Sequence, residues 1–144
     1  MTEALQLALD RAELRHLAEL YSQGADRRDK AIWQRIFAPE IVIEGPGFRN
    51  VGLAAVVATL DTLDQMFRTT QHCVLNQIVA VQGDTSSGET YCVADHLLKD
   101  ADSILVWAIR YQDRWRREGE TWLFTHRTLI VDWQETRPVA LLES

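Results

Sequence analysis

Cysteine, basic charge and long apolar runs are all scarce in this sequence. Its two cysteines, Cys73 and Cys92, cannot build a disulfide framework and lack the paired spacing of a metal knuckle. Both fall in strand-like stretches, where a cysteine behaves as a small buried hydrophobe, and both suit a reducing cytosol. No apolar run approaches the roughly 20 residues needed to span a bilayer. The N-terminus also lacks the basic, apolar, small-residue order of a secretory signal, so the expectation is a cytoplasmic chain without a membrane partner. Fifteen Lys and Arg stand against 21 Asp and Glu, and the net charge of −6 is the wrong sign for a nucleic-acid partner, whose phosphates must be neutralised. The one local basic excess, Arg114, Arg116 and Arg117, sits beside Glu118 and Glu120 and reads as a solvated hairpin end.

What is present is an ordinary globular composition. With 144 residues, 47% apolar and 25% charged, the chain is sized for one domain over residues 1–144 around one core. Leu14, Leu17, Ala18, Tyr21 and Ala25 follow the spacing of one helical face, and Asp10 with Glu13 has capping-box spacing at its start. Asp26, Arg27, Arg28 and Asp29 interrupt that stripe. Ile32, Trp33, Ile36 and Phe37 then predict a short second helix stopped by Pro39. Ile41 to Glu44 reads as a short strand, the glycine-rich stretch from Gly45 to Gly52 as a loop, and Leu53 to Phe67 as a third helix.

From His72 the period changes to that of strands, at about 72–82, 89–99, 103–116 and 121–133, separated by turn-forming stretches. In the third, Arg110, Gln112, Arg114 and Arg116 alternate with Ile109, Tyr111, Asp113 and Trp115, one wet face and one shielded, as in an antiparallel meander. Helices first and a long antiparallel sheet second make an α+β layout, in which a bent sheet with helices across its mouth encloses a pocket.

Some polar residues fall on the faces that should be buried. Alternation puts His72, Val74, Asn76, Ile78 and Ala80 on one face of the first long strand, and Thr90, Cys92, Ala94, His96 and Leu98 on one face of the next. An imidazole in such a place can act as a general acid or base, yet spacing alone favours the plainer role of a histidine bonded to a carbonyl. Asp26 lies about 120° from Leu14 around the first helix. By pattern it belongs to a solvated corner, with Asp29 capping the second helix. Tyr21 fills the core or points its hydroxyl into a cavity, and core filling is the simpler reading. Trp107, Trp115, Trp122 and Trp133 read as sheet packing. His16 reads as helix surface, and His126, Arg127 and Asp132 take no role. His72, His96 and a carboxylate share no compact metal-binding motif, so no metal is expected.

The segments YSQGADRRD (Tyr21 to Asp29), TQHC (Thr70 to Cys73) and ETYCVADHLL (Glu89 to Leu98), with the aromatic and arginine-rich stretch from Arg110 to Trp133, resemble the SnoaL-like family across nearly the whole chain. That family has the cone-shaped fold of nuclear transport factor 2, a cystatin-like α+β barrel, and includes scytalone dehydratase, hexachlorocyclohexane dehydrochlorinase and a bile-acid dehydratase. The resemblance implies an Asp–His catalytic dyad, matched here by Asp26 and His72, and a second pocket histidine matched by His96. It also implies a tyrosine five residues before the aspartate, matched by Tyr21. The tyrosine that scytalone dehydratase carries immediately before its aspartate is Ala25 here, so a water polarised by that tyrosine is not implied.

The implied reaction is a cofactor-independent, dehydratase-type elimination on a small hydrophobic hydroxylated molecule. Trp33, Phe48, Met66, Phe67 and Trp107 would shape its pocket. A non-catalytic binding domain, or an isomerase or cyclase using the same pocket, is the alternative. A homo-oligomer, dimer or trimer, is implied by the resemblance only.

Overall fold

In the computed structural model, which describes residues 1–143, three helices pack on one six-stranded sheet. The order is α1 (Glu3–Arg27), α2 (Lys30–Ile36), β1 (Phe37–Gly45), β2 (Phe48–Val51), α3 (Leu53–Met66), β3 (Phe67–Gln82), β4 (Thr85–Leu98), β5 (Ser103–Glu118) and β6 (Thr121–Pro138). The sheet runs β2-β1-β6-β5-β4-β3; it is curved and open, with β2 and β3 at its edges. Every neighbouring pair is antiparallel except β1 and β6, which run parallel. No helix among the described residues is long and apolar enough to cross a membrane.

Helix α1 begins a full two turns before the predicted start, at Glu3, where the Thr2 hydroxyl accepts the Leu5 amide at 3.1 Å. The early turns carry exposed Leu5 and Leu9 and no apolar stripe, so periodicity could not see them. Asp10 is therefore not a cap. Its buried carboxylate accepts from Arg117 at 2.9 and 3.0 Å, from Gln6 at 3.0 Å and from the Trp122 indole at 3.2 Å. These bonds tie α1 to the β5–β6 hairpin, so Arg117 is not the purely solvated residue its acidic neighbours suggested; its guanidinium also lies 4.4 Å over the Trp122 ring. Arg117 pulls the Asp10 carboxyl below its ordinary value against the opposing effect of burial. Asp10→Ala is expected to cost roughly 2–3 kcal/mol, since it strands charged and indole donors in a shielded place; urea unfolding checks it.

The α1–α2 corner is tight. Arg28, the one non-glycine residue at positive φ among those described (53°), closes α1, and the Asp29 amide reaches back to the Gly24 carbonyl at 2.9 Å. Asp29 then caps α2 as expected, its carboxylate accepting from Ala31 and Ile32 at 3.1 and 3.2 Å. A Cβ at Gly24 would lie 2.4 Å from the Trp33 ring, so only glycine lets that indole cross the helix and donate to the Tyr21 carbonyl at 3.0 Å. Phe37 already belongs to β1, and Pro39 lies within that strand, not at a helix end. The expected loop from Gly45 to Gly52 contains β2, folded back on β1 with Val42 opposite Val51.

The four long strands form the predicted meander, with two departures that matter for the cavity. In β3 an extra residue enters between Val74 and Gln77, a β-bulge whose Val74 and Leu75 carbonyls are held by Arg15 of α1. The expected face therefore ends at Val74. Beyond the bulge Gln77, Val79 and Val81 turn inward, while Asn76, Ile78 and Ala80 are exposed. In β6 an extra residue at Thr125 lets Phe124 and Arg127 face the same way, although their numbers have opposite parity. On β4 the inward face is the predicted one, with Thr90, Cys92, Ala94 and His96 buried. Trp115 and Trp122 pack in the core, but Trp133 is exposed on the outer face.

Candidate active site

The last turns of α1 lie against β3, and this sets Asp26 beside His72. Asp26 Oδ1 is 2.6 Å from His72 Nδ1, and Oδ2 accepts the His72 backbone amide at 2.9 Å. The Thr70 hydroxyl donates to Oδ1 at 2.9 Å. Arg28 in turn donates to that hydroxyl at 2.9 Å and to the Ala25 carbonyl at 2.6 Å. With its oxygen taken by Arg28, the Thr70 hydroxyl has its proton to give to Asp26. The residue at positive φ thus anchors the dyad, a common place for backbone strain. Asp26 is consequently not part of a solvated corner. Burial would raise its carboxyl, but His72, bonded through ring and backbone, and Thr70 outweigh burial and hold it below the usual carboxylate range.

A carboxylate on Nδ1 assigns the neutral proton to that nitrogen and leaves the lone pair on Nε2. His72 Nε2 has no hydrogen-bond partner among the described residues, and the ring lines a cavity of about 440 Å³, within the range typical of small-molecule sites. Tyr21 and His96 line the same cavity. So do Trp33, Phe48, Met66, Phe67 and Trp107, which come from five different elements or their junctions. The candidate catalytic and pocket residues named from the sequence therefore lie in one place, with Asp26 just behind His72. Among the described residues no three histidine, cysteine or acidic side chains converge as metal ligands.

His96 is 4% exposed and set among aromatic rings: Phe67 at 4.7 Å, Trp107 at 5.4 Å and His72 at 5.8 Å between centroids. Its Nδ1 lies 3.0 Å from the Leu105 carbonyl. Burial pulls its pKa below the ordinary imidazole value, more than the Leu105 carbonyl restores it. The unfolded chain then binds this proton at higher pH than the folded one, so stability falls as the pH drops below about 6.5. His96→Phe should lose less stability than the parent between about pH 7.5 and about pH 5.5, as read by urea unfolding.

Tyr21 is both core and cavity wall. It stacks on Trp33 at 4.9 Å and meets His72 edge-on at 6.5 Å. Burial raises its hydroxyl pKa, partly countered by Arg127, so the group keeps its proton. Arg127 is the residue that sequence reasoning passed over. It is 1% exposed, paired with Asp113 at 2.7 and 3.0 Å, and its guanidinium lies 3.6 Å over Tyr111 and 4.3 Å over Tyr21. The Thr125 bulge hid it from simple alternation. Thr70 was also missed, although its place two residues before His72 on one strand face was a usable signal.

The profile of the SnoaL-like domain matches residues 6–128. The chain belongs to the SnoaL-like family. No curated protein matches it significantly. Solved structures that this SnoaL-like chain resembles include the hexachlorocyclohexane dehydrochlorinase type 3 of Novosphingobium barchaimii, 16% identical, covering 99% of this chain and 98% of that one with a TM-score of 0.84. A putative scytalone dehydratase of Novosphingobium aromaticivorans is 18% identical over 94% of this chain and 91% of that one, with a TM-score of 0.81. The Kfla4162 protein of Kribbella flavida is 21% identical over 90% and 95%, with a TM-score of 0.83. At these identities the likeness establishes the SnoaL-like fold and no more.

Proposed function

We propose that this SnoaL-like protein is a cofactor-independent lyase that eliminates water from a small, largely apolar hydroxylated molecule. The observation that carries the reading is the 2.6 Å contact of Asp26 with Nδ1 of a histidine whose other nitrogen is left to an apolar cavity. A pocket that only holds an apolar ligand gains nothing from an ionised carboxylate desolvated against an imidazole, whereas a carbon base needs that arrangement. Two proteins of the same fold are a dehydrochlorinase and a putative scytalone dehydratase, which accords with elimination chemistry.

His72 Nε2 takes a proton from the carbon next to the one bearing the hydroxyl. Asp26 keeps the tautomer correct and stabilises the imidazolium, as the aspartate does in a hydrolytic triad. The C–H electron pair becomes the new double bond, the C–O bond breaks, and the departing oxygen recovers a proton from the His72 imidazolium to leave as water. Tyr21, held protonated, donates a hydrogen bond to an activating carbonyl on the ligand. The aromatic lining excludes water and strengthens these contacts.

Product analysis by NMR on a panel of hydroxylated aromatic ketones tests the reading. An alkene product made by the parent protein and not by Asp26→Asn supports it. An isomer at unchanged oxidation and hydration, or turnover indifferent to Asp26, overturns it.

A further inference from the structure

The second histidine of the cavity, His96, sets one ring nitrogen against a backbone carbonyl and lines the cavity with its ring. A carbonyl oxygen only accepts, so the 3.0 Å contact with Leu105 places the neutral His96 proton on Nδ1. Nε2 is then a bare lone pair, with no hydrogen-bond partner among the described residues, on a ring lining the same cavity as His72. Phe67 and Trp107 pack against the ring and hold it in place. Moving the proton to Nε2 would set the Nδ1 lone pair against the Leu105 carbonyl oxygen, and flipping the ring would leave that oxygen facing a ring carbon, so the tautomer and the orientation support each other. Burial further favours the uncharged form.

We infer that His96 is a hydrogen-bond acceptor that selects a hydroxyl-bearing ligand over a halide or an ether, and that it is not a proton donor to the leaving group. This rests on the proposed elimination and sharpens it. A hydroxyl can give its hydrogen to Nε2. A chlorine or ether oxygen in the same place has no hydrogen to give and sets its own lone pairs against that of the nitrogen. The two ring centroids are 5.8 Å apart, close enough for one small ligand to offer a C–H bond to His72 and a hydroxyl to His96. His96 orients the oxygen but supplies no proton, so the proton that completes water is the one held on His72 Nε2. No group is left with an unbalanced charge at the end of the cycle.

The test uses 2-naphthol and 2-chloronaphthalene, neither of which can undergo elimination, titrated calorimetrically into the whole protein. The preference of the parent for the naphthol over the chloride is expected to fall about tenfold in His96→Phe, the scale of one net hydrogen bond, and to persist in His72→Phe. An unchanged preference in His96→Phe, or its loss only in His72→Phe, overturns the inference. A second measurement needs no variant. Nitrogen-15 NMR of the parent at neutral pH should show His96 protonated at Nδ1 and bare at Nε2, with the Nε2 resonance moving on naphthol binding. A proton found on Nε2, or a resonance indifferent to naphthol, overturns it equally. Binding is read here without turnover, so a protein that never eliminates water can still show the preference. One that eliminates water but lacks the preference defeats the His96 assignment alone.

Discussion

His72→Ala is expected to lower turnover by roughly 10²–10⁴-fold, the contribution of a positioned general base, and Asp26→Asn is expected to do almost as much while leaving the fold in place. The asparagine effect follows from hydrogen-bond direction. Asp26 Oδ2 accepts from a backbone amide, which can only donate, whereas Oδ1 faces a ring nitrogen and a hydroxyl, both of which can reverse. An asparagine therefore keeps its carbonyl oxygen on the His72 amide and turns its NH₂ toward Nδ1. The imidazole must then accept there and carry its proton on Nε2, facing the cavity, where it can no longer take one from carbon. Steady-state kinetics with circular dichroism as a folding control checks both variants. Near-parent rates in Asp26→Asn on a verified substrate would sink the dyad.

The largest expected stability effect lies behind the cavity, at Asp113 and Arg127. Both are at least 98% buried, joined by two bonds, and Thr90 donates to the same carboxylate at 3.1 Å. Burial opposes the Arg127 charge, and Asp113 more than restores it, raising its pKa overall. Asp113→Ala leaves that guanidinium without its partner and is expected to cost roughly 3–5 kcal/mol. The double variant Asp113→Leu with Arg127→Met should recover most of that loss, since apolar residues of similar size satisfy such a place without a desolvated charge. Urea unfolding of the three proteins decides it; a loss below about 1 kcal/mol in the single variant would mean that the buried pair does not support the fold. The guanidinium lies over Tyr21 and Tyr111, so the single variant should also loosen the cavity wall.

Much of this architecture was legible before any coordinates. The stripe of Leu14, Leu17, Ala18 and Tyr21 marked α1, and the alternation of Thr90, Cys92, Ala94 and His96 named the inner face of β4. The misread strand faces share one cause. Both bulges add a residue that no side chain announces, so alternation counted through them assigned Asn76, Ile78 and Ala80 inward and ignored Arg127. Asp10 looked like a cap because its spacing to Glu13 suited one, while its partners Arg117 and Trp122 are more than a hundred residues away. Asp26 was placed in a pocket by family likeness and not by pattern, since a carboxylate at the edge of a helical stripe is indistinguishable from a solvated one until its neighbour is known.

Residues interacting within a few positions of each other leave periodic marks, and so the chain alone determined its three helices, its meander and the cap at Asp29. The contact of Asp26 with His72 joins residues 46 apart. It exists because α1 crosses β3 with Arg15 on the bulge and Arg28 on Thr70. Only tertiary packing could bring that carboxylate to that ring, bury Arg127 behind it and fix the His96 tautomer against Leu105, because each depends on atoms supplied by a separate element.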